Sequence, residues 1–160
     1  MDSEKIIEKL KAQRNPRNIA GMARFGISAK NTLGVSMPYL RNLAKEIKKD
    51  AKSDKNGVEN LHKLAMDLWK SGIHEARILA ALIDEPELVN EKQMDSWAAD
   101  FDSWDICDQA CGNLFDKKEV AWKKAVEWSV RSEEFIKRAG FVLMATLAVH
   151  DKEAGNKKSW

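Results

Sequence analysis

The residues best placed to do chemistry are Trp104 and Asp108, four apart in the stretch FDSWDICDQACGNLF from Phe101 to Phe115. On a helix, residues four apart lie about 40° apart around the axis and one turn along it, so the indole and the carboxylate would share one small patch. Ile106, Cys107, Ala110 and Leu114 fall on a different arc and supply an apolar side to bury. Trp104 and Asp108 stand at the rim of that side. A carboxylate so placed can stabilise a positive charge developing beside it and orient a water. An indole face can hold a cation, a contact worth about 0.5–2 kcal/mol.

Arginines complete the pattern. When the segments HEARILA, DICDQAC and FIKRAGF are set in register, Arg77 aligns with Asp108 and with Arg138, and Arg41 takes a comparable place earlier in the chain. If these segments are parallel helices standing side by side, the four residues form a row reading Arg41, Arg77, Asp108, Arg138, with steps of roughly 10 Å. Arginines at that spacing suit successive phosphates of a nucleic-acid backbone. The plainer account is an ion-pair ladder in which Arg77 and Arg138 neutralise Asp108. Lys137, beside Arg138, is a further candidate phosphate contact, although a solvated lysine explains it as well. A surface that only gripped a polyanion would gain nothing from a central acid, which repels phosphate. The acid makes sense where a cation forms, as in cleavage of the glycosidic bond of a cationic, N-alkylated purine. There the leaving base already carries the charge and no general acid is needed, while the sugar becomes oxocarbenium-like.

The elements that must position these groups read as helices throughout. Ser3 is a candidate cap for a first helix bearing Ile6, Ile7 and Leu10, and Pro16 opens a second that Gly26 ends. Residues 27–35 read as loop. Ser36 caps a helix with Tyr39, Leu40, Leu43, Ala44 and Ile47 on its apolar side, closed by residues 48–50. Residues 50–57 form a polar connection, the best candidate for a mobile one. Helices then follow over 58–69, 74–83, 91–101, 104–115, 118–130 and 133–149. They pair at a period of about 30 residues, and the first helix of each pair ends near a tryptophan: Trp69, Trp97, Trp128. Such pairs predict an all-α solenoid of the HEAT or armadillo kind, with the tryptophans as a repeated packing layer. Residues 1–150 form a single domain and 151–160 a polar tail containing Trp160.

Composition bounds the rest. Hydrophobic residues make up 44% and charged residues 32%, which fits a globular chain, and a net charge of +2 does not by itself demand a nucleic-acid partner. No run of roughly 18 apolar residues occurs, so no membrane span is expected. Cys107 and Cys111, four apart on one helix, point the same way and read as buried thiols of a reducing compartment. Asp100, Asp102, Asp105 and Asp108 lack the central glycine and closing glutamate of a calcium loop and read as helix N-terminal acids. The three histidines are too scattered for a ligand set, so neither metal nor cofactor is expected.

The chain resembles the DNA alkylation repair glycosylases of the AlkD type. The likeness lies in LGVSMPYLR at 33–41, LWKSGIHEAR at 68–77, SWDICDQ at 103–109 and KRAGF at 137–141. This resemblance implies a HEAT-like solenoid that cups duplex DNA and excises cationic lesions such as 3-methyladenine and 7-methylguanine without metal or cofactor. It implies Asp108 as the catalytic aspartate, Trp104 as a contact to the lesion nucleotide and Arg138 as a contact to the backbone beside it, with Arg41, Arg77 and Lys137 along the DNA. It also implies a bacterial cytoplasm. Family members carry further helices beyond the point matching Val149, including a second tryptophan at the site that Trp160 does not match, so the chain reads as C-terminally short. Its last helix, FVLMATLAV, is apolar on nearly every side, and self-association through it is expected. Some relatives bind DNA without excising bases. A non-catalytic binder of damaged or branched DNA therefore stands as the alternative, and a helical-repeat scaffold for another protein as a third.

Overall fold

The computed structural model describes the backbone of residues 1–158 and the side chains of residues 1–151; Trp160 lies outside the described residues. Every regular element among them is helical, and none is long and apolar enough to cross a membrane. The chain divides into two compact units, Met1–Leu88 and Val89–Trp160.

The first unit holds α1 (Ser3–Ala12), α2 (Pro16–Arg24), α3 (Met37–Lys52), α4 (Gly57–Lys70), α5 (His74–Ile83) and a 3-10 turn at Pro86–Leu88. Helix α1 is capped by Asp2 rather than Ser3, because the Asp2 carboxylate accepts from the Lys5 amide at 2.9 Å while Ser3 is already helical. Asn15 caps α2, whose first residue is Pro16, and Ser36 caps α3 as its sequence predicts. Helix α3 runs on to Lys52, two residues past the expected stop, since Ala51 and Lys52 carry no breaking signal. The polar link shortens accordingly to residues 53–56. Asp54 ties it, accepting from the Asn56 amide at 3.1 Å and from Asn60 Nδ2 at 2.7 Å.

The core of this unit is the apolar stripe of α3 (Leu40, Leu43, Ala44, Ile47) with Leu61, Leu64, Ala65 and Leu68 of α4 and Ile78, Leu79 and Ile83 of α5. Helix α5 packs against both α3 and α4. It also carries Glu75, buried to 1% exposure. The Glu75 carboxylate accepts from three successive amides of the 27–35 loop, those of Leu33 and Gly34 at 2.8 Å and Val35 at 3.2 Å. A buried charge without such partners would be costly. Here it fixes the loop that delivers Ser36 to the start of α3. Gly34 is required at that point: its φ is +77°, and a Cβ would lie 2.3 Å from the Asn15 carbonyl oxygen.

The second unit holds α6 (Glu91–Asp100), α7 (Trp104–Asn113), a 3-10 turn at Phe115–Lys117, α8 (Ala121–Ser129) and α9 (Glu134–Lys158). Helix α7 stops short of Phe115, whose ring leaves the helix path to fill the core. Its centroid lies 6.3 Å from Trp97, 6.4 Å from Phe101 and 5.9 Å from Trp128. Trp97 and Trp128 are buried as expected, as is Trp69 in the first unit. Asp95 accepts from the Trp128 indole N–H at 3.1 Å and from Lys124 Nζ at 2.9 Å. Burial alone would lower the Lys124 pKa, but bonds from Asp95, Glu91 and Glu127 outweigh it and raise the pKa above the usual lysine value.

Helix α9 packs against α8, α7 and α6. Ile136, Ala139, Leu143 and Leu147 are buried, while Phe141 and Val149 are exposed, so its apolar run divides between a covered and an open face. Gly140 sits against α8: a Cβ there would lie 2.4 Å from the Ser129 amide nitrogen and 2.8 Å from the Ala125 carbonyl oxygen.

Gly140→Ala is therefore expected to force α9 off α8 and to destabilise the protein by about 1–3 kcal/mol, despite alanine's better helix propensity. A thermal melt with an unchanged or raised midpoint would show that the contact yields freely. Glu75→Gln keeps the shape but removes the charge and one acceptor. It is expected to cost about 1–3 kcal/mol in a denaturant titration, with hydrogen exchange faster at the Leu33, Gly34 and Val35 amides.

Candidate functional site

Ser103 precedes α7 and is 1% exposed. Its hydroxyl does not cap the helix but donates to Asp105 Oδ1 at 2.7 Å, an oxygen that also accepts the Ile106 amide at 2.9 Å. The turn so formed places Trp104 at the first helical position, 39% exposed, and Asp108 one turn further along. The acidic run is thereby split among elements. Asp100 closes α6 rather than opening a helix, Asp105 lies in the first turn of α7, and Asp108 is mid-helix.

Asp108 meets Arg138 of α9 in a two-pronged pair. Arg138 Nε donates to Oδ1 and Nη2 to Oδ2, both at 2.8 Å. The side chains remain 32% and 44% exposed respectively. The hydrogen bond to Asp108 raises the Arg138 pKa above its ordinary value, so the guanidinium is a fixed cation.

The register that produces this pair is set by the two cysteines. Cys107 Sγ donates to the Phe135 carbonyl at 3.5 Å, and Cys111 Sγ to the Ala139 carbonyl at 3.7 Å. Two thiols one turn apart thus lie along two α9 carbonyls one turn apart, with Asp108 and Arg138 beside them. Both thiols are free and buried, as their spacing predicts. Burial, then the bond with Cys107, pushes the Cys111 thiol pKa well up, which leaves it unreactive. The role of these thiols in spacing the helices was not read from the sequence. The available signal was the match between their spacing and that of Phe135 and Ala139.

Lys137 is exposed on α9 next to Arg138. The other two basic candidates belong to the first unit. Arg77, on α5, lays its guanidinium over the Trp69 ring, 5.1 Å from the centroid, and donates through Nε to the Trp69 carbonyl at 3.2 Å. Arg41 is exposed on α3. The structure thus brings Trp104, Asp108, Arg138 and Lys137 onto α7 and α9 of one unit, and Arg77 onto its own unit's tryptophan.

A half-exposed indole beside a guanidinium-held carboxylate can receive a flat or cationic group and stabilise charge next to it. A model of the family described as DNA alkylation repair enzyme matches residues 6–157, nearly the whole chain. The chain belongs to that family. No curated protein and no solved structure matches it. For a DNA alkylation repair enzyme the natural partner is DNA.

Because the Asp108–Arg138 pair is about a third exposed, solvent screens it and its contribution to folding is small. A double-mutant cycle on urea stability with Asp108→Asn and Arg138→Gln is expected to give a coupling energy below about 1 kcal/mol. A coupling above about 2 kcal/mol would make the pair a strut of the fold instead.

Proposed function

We propose that this chain is a DNA glycosylase of the AlkD type, on a HEAT-like solenoid, that excises cationic N3- and N7-alkylated purines such as 3-methyladenine and 7-methylguanine from duplex DNA. The observation that carries the reading is the partly exposed Asp108 carboxylate, held by Arg138 one turn from the exposed Trp104, in a chain matched over residues 6–157 by a DNA alkylation repair family.

In this reading the bond between the sugar C1′ and the purine nitrogen breaks with its electron pair leaving on the base. The base is cationic beforehand and neutral afterwards, so no general acid is called for. The sugar develops oxocarbenium character, which Asp108 stabilises while orienting the water that adds to C1′ and gives up a proton to solvent. Trp104 packs on the lesion nucleotide. Arg138 keeps Asp108 aligned and reaches the phosphate beside it, and Lys137, Arg77 and Arg41 are further backbone contacts.

One observation favours a second reading. Both Asp108 oxygens are occupied by Arg138, which suits a surface that grips damaged or branched DNA without cleaving it. Release of 7-methylguanine from methylated duplex DNA decides between the two. Release by the parent that falls at least about 100-fold in Asp108→Asn is expected. Equal release by both proteins would remove Asp108 from the chemistry, and DNA binding with no release from either would favour the non-catalytic reading.

A further inference from the structure

Helix α3 concentrates the protein's positive charge. It carries Arg41, Lys45, Lys48, Lys49 and Lys52 against Glu46 and Asp50, a net of +3 where the whole chain has +2. The remainder of the chain is therefore slightly negative, and the cations of α3 are not a sample of a generally basic surface. At about 100° per residue the five cations fall within one arc of about 100°, which Glu46 and Asp50 lie outside. All five are exposed, on the flank of the stripe formed by Leu40, Leu43, Ala44 and Ile47 that α3 buries. From Arg41 to Lys52 the arc extends about 16 Å along the axis.

In the last turn Lys49 and Lys52 complement the helix dipole, but the spacing of the five cations works against the helix. Arg41–Lys45, Lys45–Lys49 and Lys48–Lys52 are like-charge neighbours at the four-residue spacing, and Lys45–Lys48 and Lys49–Lys52 at three, both of which weaken a helix. Among the described residues, Arg41, Lys45, Lys49 and Lys52 have no ion-pair partner. Four such cations repelling one another along one face are stabilised by an anion of matching length. An anionic membrane surface fits less well, because interfacial helices set large apolar side chains beside their lysines, and α3 exposes none.

We infer that the Arg41–Lys52 face of α3 is a track for the phosphodiester backbone of duplex DNA and supplies binding that does not depend on damage. The inference rests on the proposed function for the identity of the polyanion and for Arg41, and adds the four lysines that follow it on α3. The track lies on α3, and the excision residues lie on α7 and α9.

The test removes three of its charges with the shape preserved. Lys45→Gln, Lys49→Gln and Lys52→Gln together keep helix-forming side chains of similar length and relieve repulsion, so the thermal midpoint should hold or rise. Lys5→Gln, Lys9→Gln and Lys92→Gln remove the same charge elsewhere and serve as the control. Binding of undamaged duplex DNA is followed by fluorescence anisotropy across a salt series. The slope of log affinity against log salt is expected to become shallower by about 0.9 per lost contact, close to 3 in all, in the α3 variant and to change far less in the control. An unchanged slope in the α3 variant, an equal change in the control, or a parent that binds phosphatidylserine vesicles and not DNA would overturn the inference. Release of 7-methylguanine, measured on the same preparations, reports separately on Asp108. The track can thus stand where excision fails, and excision can stand where the track fails.

Discussion

In the second unit, the placement of the site depends on how closely α9 approaches its neighbours. Gly140 lets it lie against the α8 backbone at Ser129 and Ala125, where even a methyl group would collide. On its other side the two thiols of α7 reach its carbonyls at Phe135 and Ala139. Small residues on both flanks thus fix both the distance of α9 and its axial position. Arg138 lies between Phe135 and Ala139, and Asp108 directly follows Cys107, so once that register is set the fork and the carboxylate meet without adjustment. The buried ring of Phe115, in contact with Trp97, Phe101 and Trp128, supports the base of the same unit.

Charge in this protein falls into two kinds, and burial separates them. Glu75 and Lys124 are nearly inaccessible and each has three polar partners, three amides for the one and three carboxylates for the other. Such groups are held because leaving a buried charge unpaired costs more than any single bond returns. Asp108 and Arg138 are of the other kind. Their two-pronged geometry is as good as any in the structure, yet both reach solvent, where pairing contributes little to folding. An exposed pair with close geometry and low folding value can give up its partner to an incoming phosphate or cation without unfolding anything.

The helices were legible in the sequence because their signals are local. Pro16 and Ser36 each act within a few residues, and α5 begins and ends where its pattern predicts. Boundaries shifted where a neighbouring residue offered a better bond, as Asp2 did over Ser3, or where the core drew a ring out of the helix, as at Phe115. The candidate carboxylate and indole were legible from spacing on α7, and Arg138 from alignment of successive segments. Glu75 was not, because nothing within ten residues of it marks a partner: the amides it binds lie 40 to 42 residues earlier. The Ser103–Asp105 turn was hidden for the opposite reason, since serine at that place reads as an ordinary helix cap.

Alignment found Arg138 but did not tell its role from that of Arg77. Both occupy equivalent positions in the sequence pattern, yet Arg77 follows Trp69 and lies over its ring, while Arg138 takes the carboxylate across from it. A guanidinium can satisfy either demand, stacking on a ring or forking onto two oxygens. What differs is what a neighbouring helix offers: an indole and its carbonyl from α4 in one case, an aspartate from α7 in the other. Equivalent positions in a repeating pattern thus share a place on a helix, while their chemistry is decided by the neighbouring helix, and at Arg138 that neighbour supplies an acid.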